Sequence, residues 1–372
     1  MKRLMARKAP SRRLCRPVSL WPRADQAAWA AASEPCGPFD SRNAGGRWAP
    51  ATWRKNAAGY GCFLTWLDGR GELDPDKPVA QRVTHERLAV YLAHLKQTNR
   101  GHTIHNRIQE LGDALRALAP DRDWRWIGRA AGRLRAETVA ARDKRPRLRP
   151  LGELIAAGLA LMEHAETAPH LSPHRRAILF RDGLTVSFLG FQPIRLRSFA
   201  RIRLGSHLLE SQGCAVLAIP AGETKGRRPH DAEVAELLRQ QLQKYVQRHR
   251  PTLLRGRRPG TPATDALWIS VEGTPLAEES IYRRVAKATG RSGPAIGPHL
   301  FRSCAATTIA TRAPSDIHII TPVLDHSGPE IGERYYNLAG SLEASRAYGR
   351  VVEDLRRTVR SSSRRKNRTE KE

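Results

Sequence analysis

The segment "PHLFR" at 298–302 carries two side chains whose types and spacing suit work on a phosphate ester. His299 and Arg302 are three residues apart at a predicted helix start, so their side chains share one face. Both can donate hydrogen bonds to the same phosphate oxygens. Taken alone, this spacing is a weak signal, and a solvated pair on a helix surface is the commoner explanation.

A second reactive pattern lies downstream, in "LDHSGPEIGERYYN" at 324–337. Tyr335 follows His326 by nine residues and Tyr336 follows it by ten. Two bulky aromatic residues beside charged ones are normally buried at a helix edge. The pattern therefore leaves open whether one of these tyrosines is buried or reacts.

Helical periodicity predicts a compact all-α module ahead of these motifs. Apolar residues recur at helical spacing over 52–67, 84–97 and 103–119, and a shorter amphipathic piece, "DWRWIGRAAGRLRAE", follows. Together they predict a helical domain at 46–140. Its polar faces carry Arg129, Arg133 and Arg135, which suit DNA phosphates, although solvated arginines would look the same.

A larger second domain is predicted at 151–357. The basic, Pro-containing run "ARDKRPRLRP" at 141–150 reads as a linker between the two domains. Short apolar runs in "FARIRLG", "CAVLAIP" and "AGETKGRRPHDAEV" predict a small antiparallel sheet with a tight turn at 221–226. Helices are predicted around it, near 151–166, 173–190, 233–249, 279–289, 300–311 and 341–357. The fold class is thus mainly α with a small antiparallel β-sheet (α+β).

Composition points to a polyanionic partner. The 372 residues include 64 Lys and Arg against 36 Asp and Glu, a formal net charge of +28. Such an excess opposes compaction and is usually retained for nucleic acid, although a bias toward Arg and Ala explains part of it. Residues 1–45 are predicted to be a basic disordered arm that contacts DNA phosphates or remains unused, and 358–372 a basic disordered tail.

Other classes of protein fit the sequence poorly. The five cysteines are scattered without a C-x-x-C pair, which argues against a disulfide framework or a zinc site and favours reduced thiols in the cytoplasm: Cys15, Cys36, Cys62, Cys214 and Cys304. No apolar run approaches the ~20 residues that span a bilayer. The basic N-terminus lacks the apolar segment of a secretory signal. No Asp/Glu cluster suggests a two-metal nuclease, and no cofactor is expected.

Taken in order, the basic and aromatic residues resemble the tyrosine recombinase (phage integrase) family. Arg195 lies in "GFQPIRLRSFARIRLG", Lys225 in "AGETKGRR", His299 and Arg302 in "PHLFR", and His326 in "LDHS" ahead of the tyrosines. The helical module before a basic linker is similar to that family's core-binding domain. The resemblance covers roughly 47–355.

The resemblance implies a role for each side chain. Arg195 and Arg302 would clamp the scissile phosphate, since a guanidinium fork donates two parallel hydrogen bonds. Lys225 would protonate the departing 5′ oxygen, and His299 and His326 would contact the phosphate, with His299 also helping to accept the tyrosine proton. Tyr335, favoured over Tyr336 by the family's usual spacing, would attack and form a 3′-phosphotyrosyl enzyme. No metal is needed.

Three departures from the family pattern put details in doubt. Asp325 stands where the family commonly has glycine, and Ser198 stands where it commonly has an acidic residue. Arg197 is a rival to Arg195, although the spacing to Phe199 and Ile202 favours Arg195. None of these changes removes a chemical group, so the resemblance implies an active enzyme.

The resemblance also implies partners. A two-domain, C-shaped clamp would bind double-stranded DNA carrying inverted half-sites, with Lys144 and Arg145 of the linker beside the arginines of the helical domain. Four protomers would exchange strands through a Holliday junction, with accessory bending or directionality factors and no membrane. Two alternatives stay open: a decayed integrase that only binds DNA, and a type IB topoisomerase-like enzyme.

Overall fold

The computed structural model describes residues 15–34, 45–138, 145–211, 214–324 and, further on, 340, 341, 345, 348–354 and 356. The chain divides into two compact units with the boundary between Asp143 and Lys144. Each unit has its own apolar core.

The N-terminal unit is helical throughout its described part. Its elements are α1 (Arg23–Ala31), α2 (Pro50–Gly69), α3 (Val79–Arg82), α4 (His85–Thr98), α5 (His102–Leu118) and α6 (Arg125–Ala136). Pro50 occupies the first turn of α2, where a missing N–H costs nothing. Thr84 caps α4 by accepting a hydrogen bond from the Arg87 N–H. The four helices read from the periodicity are therefore present within one or two residues of their predicted ends.

The N-terminal segment predicted to be disordered at 1–45 is partly ordered, so that prediction was wrong for 15–34. A 3₁₀ turn at Val18–Leu20 leads into α1. Trp21 and Trp29 are buried, and Trp21 packs edge-on against Tyr60 with ring centroids 4.9 Å apart. The proline and arginine content suggested disorder, but the apolar surface of two indoles outweighs it.

The C-terminal unit consists of helices around a small sheet. Its helices are α7 (Leu151–Thr167), α8 (Pro173–Phe191), α9 (Leu196–Ala200), α10 (Glu236–Lys244), α11 (Arg250–Leu254), α12 (Glu278–Thr289), α13 (Pro298–Arg312) and α14 (Ile320–Leu324). A π-helical turn, Tyr245–His249, joins α10 to α11, and a 3₁₀ segment, Pro314–Ile319, precedes α14. The predicted helix at 341–357 is described only in part, and 340, 341, 345, 348–354 and 356 are helical.

The sheet is antiparallel, with strand order β1-β2-β3. Its strands are β1 (Leu208–Ser211), β2 (Cys214–Ile219) and β3 (His230–Glu233), and Ile219 lies opposite His230. The prediction of a mainly helical α+β fold is confirmed. The first strand was misplaced, however, because "FARIRLG" begins in α9 and does not form a strand of the sheet. Phe199 and Ile202, three residues apart as on a helix, both point into the core.

The end of the predicted linker belongs to the C-terminal unit. Arg145–Arg147 forms a 3₁₀ turn, Leu148 packs against the core of this unit, and Arg149 is buried. Residues 148–150 were therefore misread as linker, since their partners lie far along the chain. None of the described helices combines the length and apolarity that crossing a bilayer demands.

Candidate active site

Two of the predicted site arginines meet in one recess of the C-terminal unit. The recess is lined by Ile194, Arg195, Ser198, Ile219, Thr224, His230, Arg302 and Val323. These residues come from the start of α9, the hairpin between β2 and β3, α13 and α14. Four separate stretches of sequence therefore converge at this point.

Among the predicted site residues that the structure describes, Arg302 is the most deeply buried, with 7% of its surface exposed. One terminal nitrogen, Nη1, donates to the carbonyl oxygen of Pro193 at 2.7 Å, and Nη2 donates to the carbonyl oxygen of Leu324. Pro193 lies two residues before Arg195, and Leu324 lies two residues before His326. The guanidinium of Arg302 thus holds together the backbone that carries Arg195 and the backbone that leads to His326.

Arg195 sits at the junction between α8 and α9. Its backbone is extended, with φ −67° and ψ 139°, and its carbonyl accepts the first hydrogen bond of α9 from the Phe199 N–H. Ile194 and Phe199 on either side are buried, which fixes the direction of the segment. Arg195 is partly buried and lines the recess, whereas the rival Arg197 is exposed.

Lys225 lies in the turn of the β2–β3 hairpin and is exposed, outside the lining of the recess. Its neighbour Thr224 is buried and organises the turn. The Thr224 hydroxyl donates to the Arg228 carbonyl at 2.7 Å and accepts from the Arg228 N–H at 3.2 Å. Arg227 adopts a positive φ of 52° to close the turn. Lys225 therefore follows the lining residue Thr224 in sequence but does not itself line the recess.

His299 is exposed in the first turn of α13, three residues before Arg302. Pro298 opens the helix, and Gly297 precedes it. A Cβ atom on Gly297 would lie 2.3 Å from Cε2 of Tyr282, so the aromatic ring of α12 rests directly on this backbone.

The sequence analysis did not identify the two polar lining residues Thr224 and His230. Exposure along β3 alternates, with His230 and Ala232 more buried than Asp231 and Glu233. A strand alternates its side chains between two faces, so a strand read at 230–233 places His230 on the inward face. That alternation was the available signal, and it was weak over four residues.

Several predicted residues lie outside the described part of the chain. They are His326, Tyr335, Tyr336, Asp325 and Lys144, together with the side chain of Arg145. In the N-terminal unit, Arg129, Arg133 and Arg135 are exposed on α6. Their role as DNA contacts stays a prediction.

Chemically, a recess that presents two guanidinium groups favours an oxyanion over a neutral ligand. Burial places the Arg302 guanidinium where the effective dielectric constant is low, and this strengthens the attraction between the guanidinium and a negative charge. Because the carbonyl oxygens orient the guanidinium in advance, little reorganisation is needed when an anion arrives. Among the residues that the structure describes, no three His, Cys, Asp or Glu side chains gather as metal ligands.

No protein-family model and no curated protein matches the chain. Solved structures do match it. The XerH site-specific recombinase bound to its difH substrate, in a pre-cleavage complex, is similar over 77% of this chain and 77% of that chain, with a TM-score of 0.54 and 14% sequence identity. The same recombinase in a post-cleavage complex with palindromic difH is similar over 90% of this chain and 98% of that chain, with a TM-score of 0.54 and 12% identity. The chain therefore has the fold of the tyrosine recombinases.

Proposed function

We propose that this chain, on the premise of its tyrosine-recombinase fold, is a site-specific DNA recombinase that cleaves and rejoins DNA strands. The reaction is a transesterification at a backbone phosphate, through a 3′-phosphotyrosyl enzyme and a Holliday junction. The observation that carries the proposal is the recess in which Arg195 and Arg302 meet. DNA in both XerH complexes supports the choice of substrate.

In the proposed first step, the Tyr335 phenolate attacks the scissile phosphorus and the P–O bond to the 5′ oxygen breaks. Arg195 and Arg302 stabilise the charge that develops on the non-bridging oxygens. His299 and His326 contact the same phosphate, and His299 helps to take up the phenol proton. Lys225 gives a proton to the departing 5′ oxygen.

Rejoining reverses these transfers. A 5′ hydroxyl of a second strand attacks the phosphotyrosine and returns its proton to the lysine, and the tyrosine leaves. A phenol with a pKa of about 10 serves both as nucleophile and as leaving group. The covalent bond conserves the energy of the phosphodiester, so the cycle requires neither ATP nor hydrolysis.

DNA binding is proposed to extend well beyond the scissile phosphate. Arg129, Arg133 and Arg135 of α6, with Lys144 and Arg145, would contact the backbone of inverted half-sites, and four protomers would form the synapse. Because many phosphates would be neutralised together, the association constant should fall steeply as salt concentration rises.

The test is capture of the covalent intermediate. The purified full-length protein is incubated with sheared genomic DNA from its source, and the mixture is then denatured in SDS. DNA that remains covalently linked to the protein is recovered, and its ends are sequenced. A duplex with the recovered sequence and a nick beside the cleavage position then serves as a suicide substrate. Wild type should form an SDS-resistant adduct, Tyr335→Phe should form none, and Tyr336→Phe should form it normally.

Each alternative has its own outcome. An adduct lost only in Tyr336→Phe assigns the nucleophile to the second tyrosine. Binding of DNA without any adduct overturns the enzymatic proposal in favour of a DNA-binding protein. Relaxation of supercoiled DNA without any specific site, with adducts spread over many sequences, favours the topoisomerase-like reading.

A further inference from the structure

Buried Arg149, just before α7, contacts the loop that leads into the candidate catalytic helix. Only 8% of Arg149 is exposed. Nη1 donates to the Thr289 carbonyl at 3.1 Å, and Nη2 donates to the Ser292 carbonyl at 3.1 Å and to the Ser292 hydroxyl at 3.2 Å. These acceptors lie between the end of α12 and the start of α13, some 140 residues further along the chain.

The loop itself is closed by a second buried side chain, Thr289. The Thr289 hydroxyl accepts from the Ile296 N–H at 3.1 Å, and its oxygen lies 2.9 Å from the Val285 carbonyl oxygen and 3.1 Å from that of Ile296. Arg149 therefore binds a loop whose two ends are already joined by a hydrogen bond between Thr289 and Ile296. Gly293, at φ +155°, passes so close that an added Cβ would lie 3.0 Å from the Arg149 Cζ.

The backbone around Arg149 also binds α13 directly. The Arg149 N–H donates to the Cys304 thiol at 3.4 Å, and the Leu151 N–H donates to the Thr308 hydroxyl at 3.3 Å. Cys304 and Thr308 lie two and six residues beyond Arg302 on α13. The same short segment thus holds both the approach to α13 and its middle.

We propose that Arg149 is a positioning residue for the arginine recess: it sets the start of α13 and thereby the placement of His299 and Arg302. The inference rests on the proposed function, because its readout is cleavage. A guanidinium suits this role since its fork reaches carbonyls of two different residues at once. An ammonium group on a lysine reaches one of them.

Arg176 provides a matched control within the same unit. It donates to the Ala165 carbonyl at 2.8 Å and the Ala168 carbonyl at 3.0 Å, so it also anchors a loop through backbone oxygens. Its loop follows the C-terminal end of α7, whereas Arg149 lies at the N-terminal end. A 17-residue helix spans about 25 Å.

The experiment compares Arg149→Gln, Arg149→Lys and Arg176→Gln in the full-length protein. Single-turnover adduct formation on the nicked suicide duplex, affinity for the same duplex and thermal unfolding are measured for each. Arg149→Gln should slow adduct formation by about 10²-fold, the effect of misplacing a reacting group by about 1 Å, while DNA affinity is retained. Arg149→Lys should recover thermal stability without recovering the rate, and Arg176→Gln should lose stability without losing the rate.

The outcomes separate this inference from the proposed function. Absence of an adduct in wild type overturns the proposed function and, with it, any basis for the present inference. A wild-type adduct together with an Arg149→Gln rate no slower than that of Arg176→Gln overturns the inference alone. If Arg149→Gln does not fold, Arg149→Lys decides: a wild-type rate in that variant refutes a positioning role.

Discussion

Arg82 in the N-terminal unit and Arg302 in the C-terminal unit are both buried arginines, but they are held in different ways. Arg82, 1% exposed, donates to both carboxylate oxygens of Asp25 and to the Tyr60 hydroxyl at 3.3 Å. Arg302 donates to the carbonyls of Pro193 and Leu324. The Asp25 carboxylate offsets the charge of the Arg82 guanidinium, whereas the two backbone carbonyls orient the Arg302 guanidinium through their dipoles.

The difference shows that a buried arginine can be held either by a carboxylate or by backbone carbonyls. Burial raises the pKa of the Asp25 carboxyl, although Tyr60 and Arg82 oppose the rise. That carboxylate is therefore costly to bury and is tolerated because Arg82 neutralises it. The Asp25–Arg82 pair joins α1 to α3, and Arg302 joins the backbone segments that border the recess of the C-terminal unit.

The largest effect is expected from breaking the N-terminal pair. Arg82→Met leaves the Asp25 carboxylate buried without its cation, which should lower the free energy of unfolding by about 3–5 kcal/mol. The double variant Arg82→Met with Asp25→Leu should regain most of this loss, because apolar side chains replace both charges. Chemical denaturation followed by tryptophan fluorescence measures both. A double variant as unstable as the single one would contradict the neutralised-pair interpretation.

Next in size is the loss of the Arg302 guanidinium. Arg302→Gln should slow adduct formation on the suicide duplex about 10²–10³-fold, the range seen when one preorganised oxyanion donor is removed. Affinity for DNA should change little, since the remaining phosphate contacts persist. Arg312→Gln, an exposed arginine at the other end of α13, is the control and should cleave as wild type does. Equal rates for the two variants would show that Arg302 has no special place in the reaction.

The smallest effect is expected in the pH dependence of stability, through His249, which pairs with a carboxylate inside the C-terminal unit. Its Nε2 lies 2.9 Å from Oε1 of Glu166, and its ring stacks on Phe180 with centroids 4.1 Å apart. Burial lowers the pKa of His249, and the Glu166 carboxylate opposes this without reversing it. The unfolded chain therefore takes up a proton at a higher pH than the folded one does.

Stability of the C-terminal unit should accordingly decrease as pH falls through about 6.5, the ordinary histidine value, toward the lowered pKa of the folded protein. His249→Phe should reduce this acid sensitivity, and replacing exposed His318 by Asn should leave it unchanged. Thermal unfolding across this pH range provides the measurement. If stability instead rose on acidification, the Glu166 pairing would dominate and His249 would resemble Arg82.

Local pattern predicted the helices well because amphipathic spacing, proline at a first turn and a threonine cap all act within a few residues. Long-range partners limited the rest. Trp21 and Trp29 order α1 through Tyr60 and neighbouring aromatic residues, which no local pattern announces. Ile202 and Leu204 alternate with Arg201 and Arg203 as in a strand, yet Phe199 and Ile202 are buried at the three-residue spacing of a helical turn.

For the site, the order of residues along the chain predicted Arg195 and Arg302 as phosphate-binding residues. In the structure both arginines line the same recess. Arg149 could not be foreseen, because its acceptors at Thr289 and Ser292 are remote in sequence and are backbone atoms that any residue supplies. A role that depends on contacts with backbone carbonyls cannot be predicted from the pattern of side chains in the sequence.

The contact between Gly297 and Tyr282 constrains how this protein can change over evolutionary time. Since an added Cβ at 297 would lie 2.3 Å from Cε2 of Tyr282, a larger side chain at 297 requires this exposed ring to turn away or to be replaced by a smaller side chain. Homologous chains that carry a bulkier residue at 297 should therefore carry a smaller one at 282. Two positions fifteen residues apart in sequence are expected to covary for this steric reason, independently of any chemistry in the recess.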